Sequence, residues 1–271
     1  MKQKIGIVGL GLIGGSIEKA LLREPDSFEI LTVSESQARE YKLQDLKDCD
    51  LVFLCGPQST IPKQLEEIAK IISQSSEEGA VPPNARAFSK TIITDVASTK
   101  VQITKKAEAL GLDNFIPGHP MAGTEKQGYE ASFPELFEEA NWVLGKTSTR
   151  TELLENIITK TLKAKLVIMD PKTHDSSVAV ISHLPLVLSL GLGDMLTSMP
   201  QAKKVIGPGF KGMVRLAKGN PELGREMIAL NRTNIKNAWE LFKSEVESLL
   251  SITGEELEHE LIDIKEALSL V

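Results

Sequence analysis

Over its first 169 residues the chain alternates short Ile/Val/Leu runs with stretches whose apolar residues recur every three or four positions. The runs predict strands at Lys4–Val8, Glu29–Val33, Leu51–Cys55, Thr91–Val96, Phe115–Pro117, Trp142–Leu144 and Leu166–Met169. Several lack polar alternation, as expected of parallel strands covered on both faces. The periodic stretches predict helices at Ile13–Arg23, Thr60–Ser73, Lys100–Ala109 and Thr151–Leu162. Strand–helix–strand alternation of this kind implies an α/β fold, a doubly wound parallel sheet with right-handed crossovers. Ser75–Arg86 is polar and contains Pro82-Pro83, so it reads as a surface loop.

The pattern changes near Asp170, after which no strand is predicted. Asp170-Pro171 reads as an N-cap followed by proline at the first helical position, and Asn220-Pro221-Glu222 repeats the signal. Helices are expected at Pro171–Leu196, Phe210–Ala217, Pro221–Leu250 and Thr253–Leu270, with a kink at Pro185. Two domains follow: a Rossmann-type domain over 1–169 and an all-helical domain over 170–271.

Charge narrows the partners. The 271-residue chain has a net charge of −6, so it presents no basic field for nucleic acid or anionic lipid. Its two cysteines, Cys49 and Cys55, make no metal or redox pattern and read as buried free thiols of a reducing compartment. Glycines break the apolar N-terminal run, and no apolar run approaches the roughly 18 residues of a membrane span. The expectation is a cytoplasmic protein with neither membrane nor nucleic-acid partner and no metal site.

The strand Lys4–Val8 runs into Gly9, Gly11 and Gly14, a G-x-G-x-x-G that opens a helix. In that setting Gly9 makes the tight turn, Gly11 lets the backbone approach a pyrophosphate and Gly14 lets helix and strand pack closely. The helix start at Leu12 and Ile13 turns free N–H groups and a positive dipole end to the phosphates. The second strand ends in LTVSES, so Ser34 or Glu35 meets the adenosine ribose, depending on register. An acid there accepts from the ribose hydroxyls and repels a 2′-phosphate, which favours NAD. Ser34 with an arginine would suit NADP, but none occurs before Arg39. Gly56-Pro57 ends the third strand and either touches the cofactor or simply turns the chain.

Two more strand ends carry chemistry. In DVASTK, Ser98 either caps the next helix or points into the crevice. In GHPMAGTE, His119 sits at the end of a further strand, flanked by Gly118, Pro120 and Gly123. A histidine near its reference pKa of about 6.5 suits general base work at neutral pH.

GLGLIGGS, DVASTK, GHPMAGTEKQG, HDSSVAVISHLP and RLAKGNPELG, in that order, resemble the prephenate/arogenate dehydrogenase family of tyrosine biosynthesis. The resemblance spans Lys4 to about Leu250. It implies an NAD(P)-dependent oxidative decarboxylation with His119 as the base and Ser98 orienting the substrate hydroxyl. It implies that Ser182 and His183 face the substrate and that Arg215 binds a substrate carboxylate, with Thr124 and Glu125 closing the site. It also implies a homodimer formed by the helical domain. His174 and Asp175 begin the same helix as His183, His174 reading as a packed residue and His259 as a solvated one. The family often has Phe-Arg-Asp where this chain has Phe210-Lys211-Gly212, so an ion pair from that aspartate to Arg215 is absent, and Glu125 is a candidate replacement. Prephenate is the expected substrate. The alternatives are arogenate, a β-hydroxyacid dehydrogenase of similar plan with a catalytic lysine, and a non-catalytic dinucleotide-sensing module.

Overall fold

The computed structural model describes residues 2–35, 37, 39, 41–77, 90–146 and 151–269. Five parallel strands form the first sheet: β1 Gln3–Val8, β2 Phe28–Val33, β3 Leu51–Leu54, β4 Ile92–Asp95 and β5 Phe115–Ile116, in the order β2-β1-β3-β4-β5. Chain order reverses between β1 and β3, where open α/β sheets bind ligands at their carboxyl ends. Alternation along each strand feeds two cores. Ile5, Ile7, Leu51 and Phe53 pack on one face with Ile17 and Trp142, and Val8, Val52 and Leu54 pack on the other with Leu65 and Ile103. Both faces are therefore apolar, which is why these runs lack polar alternation.

The helices that cover this sheet are α1 Leu12–Leu21, α2 Ile61–Glu77 and α3 Val101–Ala109. The loop expected over Ser75–Arg86 lies largely outside the described residues, and α2 runs to Glu77.

One expectation changes after β5. His119 does not extend that strand. It sits on β6, Gly118–Pro120, in a separate sheet with β7, Asn141–Leu144, and β8, Lys165–Ile168. Strand β6 runs antiparallel to β7, and β7 runs parallel to β8. The break has a tertiary cause. Gly118 donates its N–H to Asp95 Oδ1 (3.1 Å), and its carbonyl accepts from the buried Lys100 Nζ (2.6 Å). A Cβ on Gly118 would lie 2.7 Å from the Asp95 carbonyl oxygen, so only glycine fits.

A short helix, α4 Glu152–Asn156, precedes β8. After Ile168 the described chain is helical: α5 Pro171–Val178, α6 Leu184–Ser198, α7 Pro208–Met213, α8 Pro221–Leu230, α9 Arg232–Ser251 and α10 Gly254–Leu268. Asp170 caps α5 through the N–H groups of Lys172 and Thr173, and Asn220 caps α8 through that of Glu222. Between α5 and α6 the helix widens into a π-turn, Ala179–His183, where the Leu184 N–H reaches the Ala179 carbonyl. This turn accommodates Pro185, which cannot donate to the ladder. The helix expected over Pro221–Leu250 is broken at Asn231, whose side chain is used elsewhere. Phe210–Ala217 is only partly α-helical, with a 3₁₀ turn at Leu216–Lys218.

The helical half has little core of its own, chiefly Ala179, Leu184, Ile235 and Ala238. It leaves Met195, Met199, Val205, Trp239, Phe242 and Leu261 exposed. The continuous stretch Pro171–Ser198, of mean hydropathy 1.6, is long and apolar enough to cross a membrane by length and composition. No such stretch was expected. Its polar side chains His174, Asp175, His183 and Ser189 are buried in the fold, and each is hydrogen-bonded there.

Candidate active site

The turn after β1 needs glycine at both ends. Gly9 has φ +94°, and a Cβ there would lie 2.7 Å from the Gly56 nitrogen. At Gly14 a Cβ would collide with the Gly9 carbonyl oxygen. Gly11 differs, because a Cβ on it meets no atom within 4 Å. It is the N-cap of α1 and supplies no side chain, so no side chain caps the first N–H groups of the helix, at Leu12 and Ile13. An open, uncapped helix start of this kind fits a dinucleotide pyrophosphate. Beyond β2, Ser34 Oγ accepts from the Gln37 N–H (3.2 Å), and Glu35 is exposed. Arg39 is paired with the buried Glu18 at 3.2 Å, so the first arginine after Glu35 already has a partner.

At the ends of β3 and β4 the chain forms a cleft of about 310 Å³. Ile13, Gly56, Pro57 and Ser98 line one side together with His119, and Asn220, Glu222 and Glu226 line the other. The structure thus brings Ser98 and His119 to one cavity with the glycine turn and Gly56-Pro57. Cys55 also lines it, whereas Cys49 is buried away from it, its thiol pushed up to about 12 chiefly by burial. Ser98 is oriented by Gln58, whose Oε1 accepts from Ser98 Oγ (3.1 Å) and from the Thr99 N–H (3.3 Å). Gln58 Nε2 donates to Thr99 Oγ1, which locks the amide.

His119 heads a chain of three side chains. Its Nδ1 lies 2.9 Å from His174 Nε2, and His174 Nδ1 lies 2.8 Å from Asp175 Oδ1. The Asp175 carboxylate also accepts the Lys100 N–H (2.7 Å) and the Val101 N–H (3.0 Å), so it acts purely as an acceptor that caps α3 from the helical half. His174 Nδ1 must then carry the proton, leaving His174 Nε2 to accept from His119 Nδ1. The remaining nitrogen of His119, Nε2, holds a lone pair. His174, expected to be a packed residue, and Asp175, expected only to begin the helix, are the groups that set this tautomer.

His119 is held well below its ordinary pKa, first by burial, then by Lys100, His174 and His183. The expectation of a value near 6.5 is therefore corrected: the imidazole is neutral throughout the neutral range. Lys100 itself is lowered by burial against the opposing pull of Asp95, with which it pairs.

Other expected residues lie elsewhere. His183 is buried, and its Nδ1 accepts from Asn231 Nδ2 (3.0 Å), which also donates to the Asp175 carbonyl (2.7 Å). Burial pushes His183 down to about 4, aided by His174 and opposed by Asp175. Ser182 and Arg215 line a second cleft of about 590 Å³ that shares Asn220, Leu223 and Met227 with the first. Thr124 and Glu125 are exposed, and among the described residues no ion pair joins Glu125 to Arg215. Asn220 Nδ2 donates to Gln127 Oε1 (3.0 Å), linking the segment after His119 to the helical half.

Residues 84–169 match the family profile described as the prephenate dehydrogenase nucleotide-binding domain, and residues 170–265 match that of the dimerization domain. The prephenate dehydrogenase of Bacillus subtilis is 30% identical over 94% of this chain and 71% of its own. That of Lactococcus lactis is 31% identical over 93% of this chain and 72% of its own. Among solved structures, a Synechocystis arogenate dehydrogenase superposes with a TM-score of 0.80 at 29% identity, covering 98% of this chain and 99% of that one. A prephenate dehydrogenase from A. aeolicus, in complex with hydroxyphenyl propionate and NAD+, gives 0.79 at 26% identity over 100% and 97%. Similarity that runs through both halves and includes a relative 31% identical over nearly the whole length leads to one assignment: the chain belongs to the prephenate dehydrogenase family.

Proposed function

We propose that the chain oxidises and decarboxylates prephenate to 4-hydroxyphenylpyruvate with NAD, a step of tyrosine biosynthesis. The observation that carries this reading is the His119–His174–Asp175 chain beside Ser98, at the end of the cleft where the glycine turn opens. Gly11, Leu12 and Ile13 would hold the pyrophosphate, with Gly9 and Gly14 shaping the turn and Ser34 or Glu35 at the ribose. When bound, the nicotinamide supplies the hydride acceptor. His119 Nε2 takes the proton of the ring hydroxyl as hydride leaves the carbon bearing it. The carbon–carbon bond to the ring carboxylate then breaks, carbon dioxide departs, and its electron pair completes the aromatic ring. Positive charge arriving on His119 is shared with His174, which Asp175 faces. Ser98, its hydrogen directed to Gln58, turns lone pairs toward the substrate hydroxyl and fixes its orientation.

Arg215 is the cation we assign to a substrate carboxylate; it lines the adjoining cleft with Ser182 and Arg225, while His183 is held by Asn231. Among the described residues no lysine lines the catalytic cleft, which argues against a β-hydroxyacid dehydrogenase with a lysine there. The exposed apolar faces of the helical half fit a homodimer, and the free thiols Cys49 and Cys55 fit a cytoplasmic location. The test is NAD reduction on addition of prephenate, with carbon dioxide released in equal amount. Absence of both, in protein that binds NAD, overturns the reading.

A further inference from the structure

The wall that α8 gives the catalytic cleft carries one buried acid among apolar neighbours. Leu223 and Met227 supply its apolar surface. Glu226 lines it with them, only 6% exposed, and its Oε1 is buried with no hydrogen-bond partner among the described residues. Burying a carboxyl oxygen without a partner is costly, and native structures rarely leave one so. Glu222, one turn earlier on the same helix, also lines the cleft but is exposed, so water serves its carboxylate. Among the described residues neither lysine nor arginine lines the cleft, so the protein brings no cation to Glu226 there. The buried oxygen calls for an N–H donor that a ligand carries. The opposite wall indicates which ligand. It runs from Ile13 of the glycine turn past Gly56-Pro57 and Val96 to Ser98 and His119. A dinucleotide with its pyrophosphate at Ile13 and its reactive ring near His119 lays that ring between these two walls.

We infer that Glu226 accepts a hydrogen bond from the carboxamide NH₂ of the nicotinamide and so fixes the orientation of the ring. The inference rests on the dinucleotide site proposed above. Prephenate offers this wall two carboxylates and a ketone, all of them acceptors, and its one hydroxyl proton goes to His119. The carboxamide is the group of the reacting pair that brings N–H donors. An N–H donated to the carboxylate satisfies the orphaned oxygen and removes the cost of its burial. The apolar surface of Leu223 and Met227 suits the flat ring that carries the amide. A ring held by its amide cannot turn about its bond to the ribose, so one face stays toward the substrate. Glu226 takes no proton in the reaction, and it acts on the cofactor alone.

The experiment is calorimetric titration of the full chain, without substrate, and of Glu226→Ala and Glu226→Gln. The ligands are NAD, its acetylpyridine analogue, in which an acetyl group replaces the carboxamide and no N–H remains, and ADP-ribose, which lacks the ring. A hydrogen bond to a charged group is lost with the analogue, so the wild type should bind it roughly 10- to 150-fold more weakly than NAD. Glu226→Ala should weaken NAD by a similar factor and bring the two dinucleotides to nearly equal affinity. Glu226→Gln keeps an acceptor oxygen without the charge and should recover part of the preference for NAD. ADP-ribose should bind all three proteins alike, which also shows that the variants are folded. A wild type that binds NAD and the analogue equally overturns the inference, whether or not the variants fold. So does a Glu226→Ala protein that keeps the full preference for NAD, or one that loses ADP-ribose as strongly as NAD. A wild type that binds none of the three ligands overturns the dinucleotide site itself.

Discussion

The glycine turn and the histidine chain share a cleft, yet they are built on opposite plans. The turn works through backbone alone. Six consecutive residues supply its conformation, its close packing and its open N–H groups, and no side chain takes part. The histidine chain works through side chains alone. Its members come from β6 and α5, 55 residues apart, and the acid at its end is pinned by backbone N–H groups of a third element, α3. A contiguous backbone site depends on local sterics. A distributed side-chain site depends on how the two halves of the molecule dock.

The contrast breaks most sharply at His119. Replacing it with Asn keeps much of its size and removes the base. General base catalysis contributes about 10²–10⁴-fold, so kcat for His119→Asn should fall within that range while NAD affinity holds. If kcat stays near the wild-type value, the base lies elsewhere.

The next effect is one of pH, and its sign follows from burial. In the folded chain His183 titrates at about 4, against about 6.5 when unfolded. Between those values the unfolded chain binds a proton that the folded chain refuses, so stability rises with pH. The stability is fully present above about 6.5 and falls as acid is added through that window, by about 3 kcal/mol for this one residue. His119, also lowered by burial, adds with the same sign. Tm should therefore drop steeply from pH 6.5 to 4.5, and His183→Asn should flatten the slope. An unchanged slope would show that His183 is charged in the folded state.

Asp175→Asn probes the far end of the side-chain chain. An amide can turn its NH₂ toward His174 and reverse the tautomer that directs His119 Nε2 to the cleft. A lost or reversed hydrogen bond of this kind costs about 1–3 kcal/mol, or roughly 5- to 150-fold in kcat. KM for NAD should move little, and the acid limb of the pH–rate profile should shift. A loss confined to Tm would make Asp175 only the cap of α3.

The same contrast accounts for what the sequence reveals. Ile/Val/Leu runs mark β1, β3 and β4 because strands covered on both faces have no polar alternation to hide them. Gly9 and Gly14 are legible because their reasons lie within a few residues. The separation of β6 from β5 is not legible, since it depends on Asp95 and Lys100 gripping Gly118 across space. Nor is the break at Asn231, where apolar periodicity continues and only the distant acceptors Asp175 and His183 draw its side chain inward. His174 looks like one more polar residue of a helix start. Glu226, four residues after Glu222, looks like half of a solvated face. His174 owes its role to partners that local sequence does not encode, and Glu226 is buried all the same.

Gly11 offers the finest test of the backbone half of the comparison. Unlike Gly9 and Gly14, it has no steric reason within the protein to be glycine, because a Cβ there touches nothing. Its φ of −92° is also open to any residue. Gly11→Ala should therefore leave Tm unchanged or raise it slightly, since alanine loses less chain entropy on folding. What the methyl group would meet is the ligand. If the pyrophosphate approaches the backbone at Gly11, KM for NAD should rise by about tenfold, equivalent to about 1.4 kcal/mol, while kcat at saturating NAD stays close to wild type. Gly14→Ala is the control, because its Cβ meets the Gly9 carbonyl and should lower Tm as well as NAD affinity. If Gly11→Ala binds NAD as well as the wild type does, the dinucleotide passes the turn at a distance, and the free N–H groups of Leu12 and Ile13 serve some other anion.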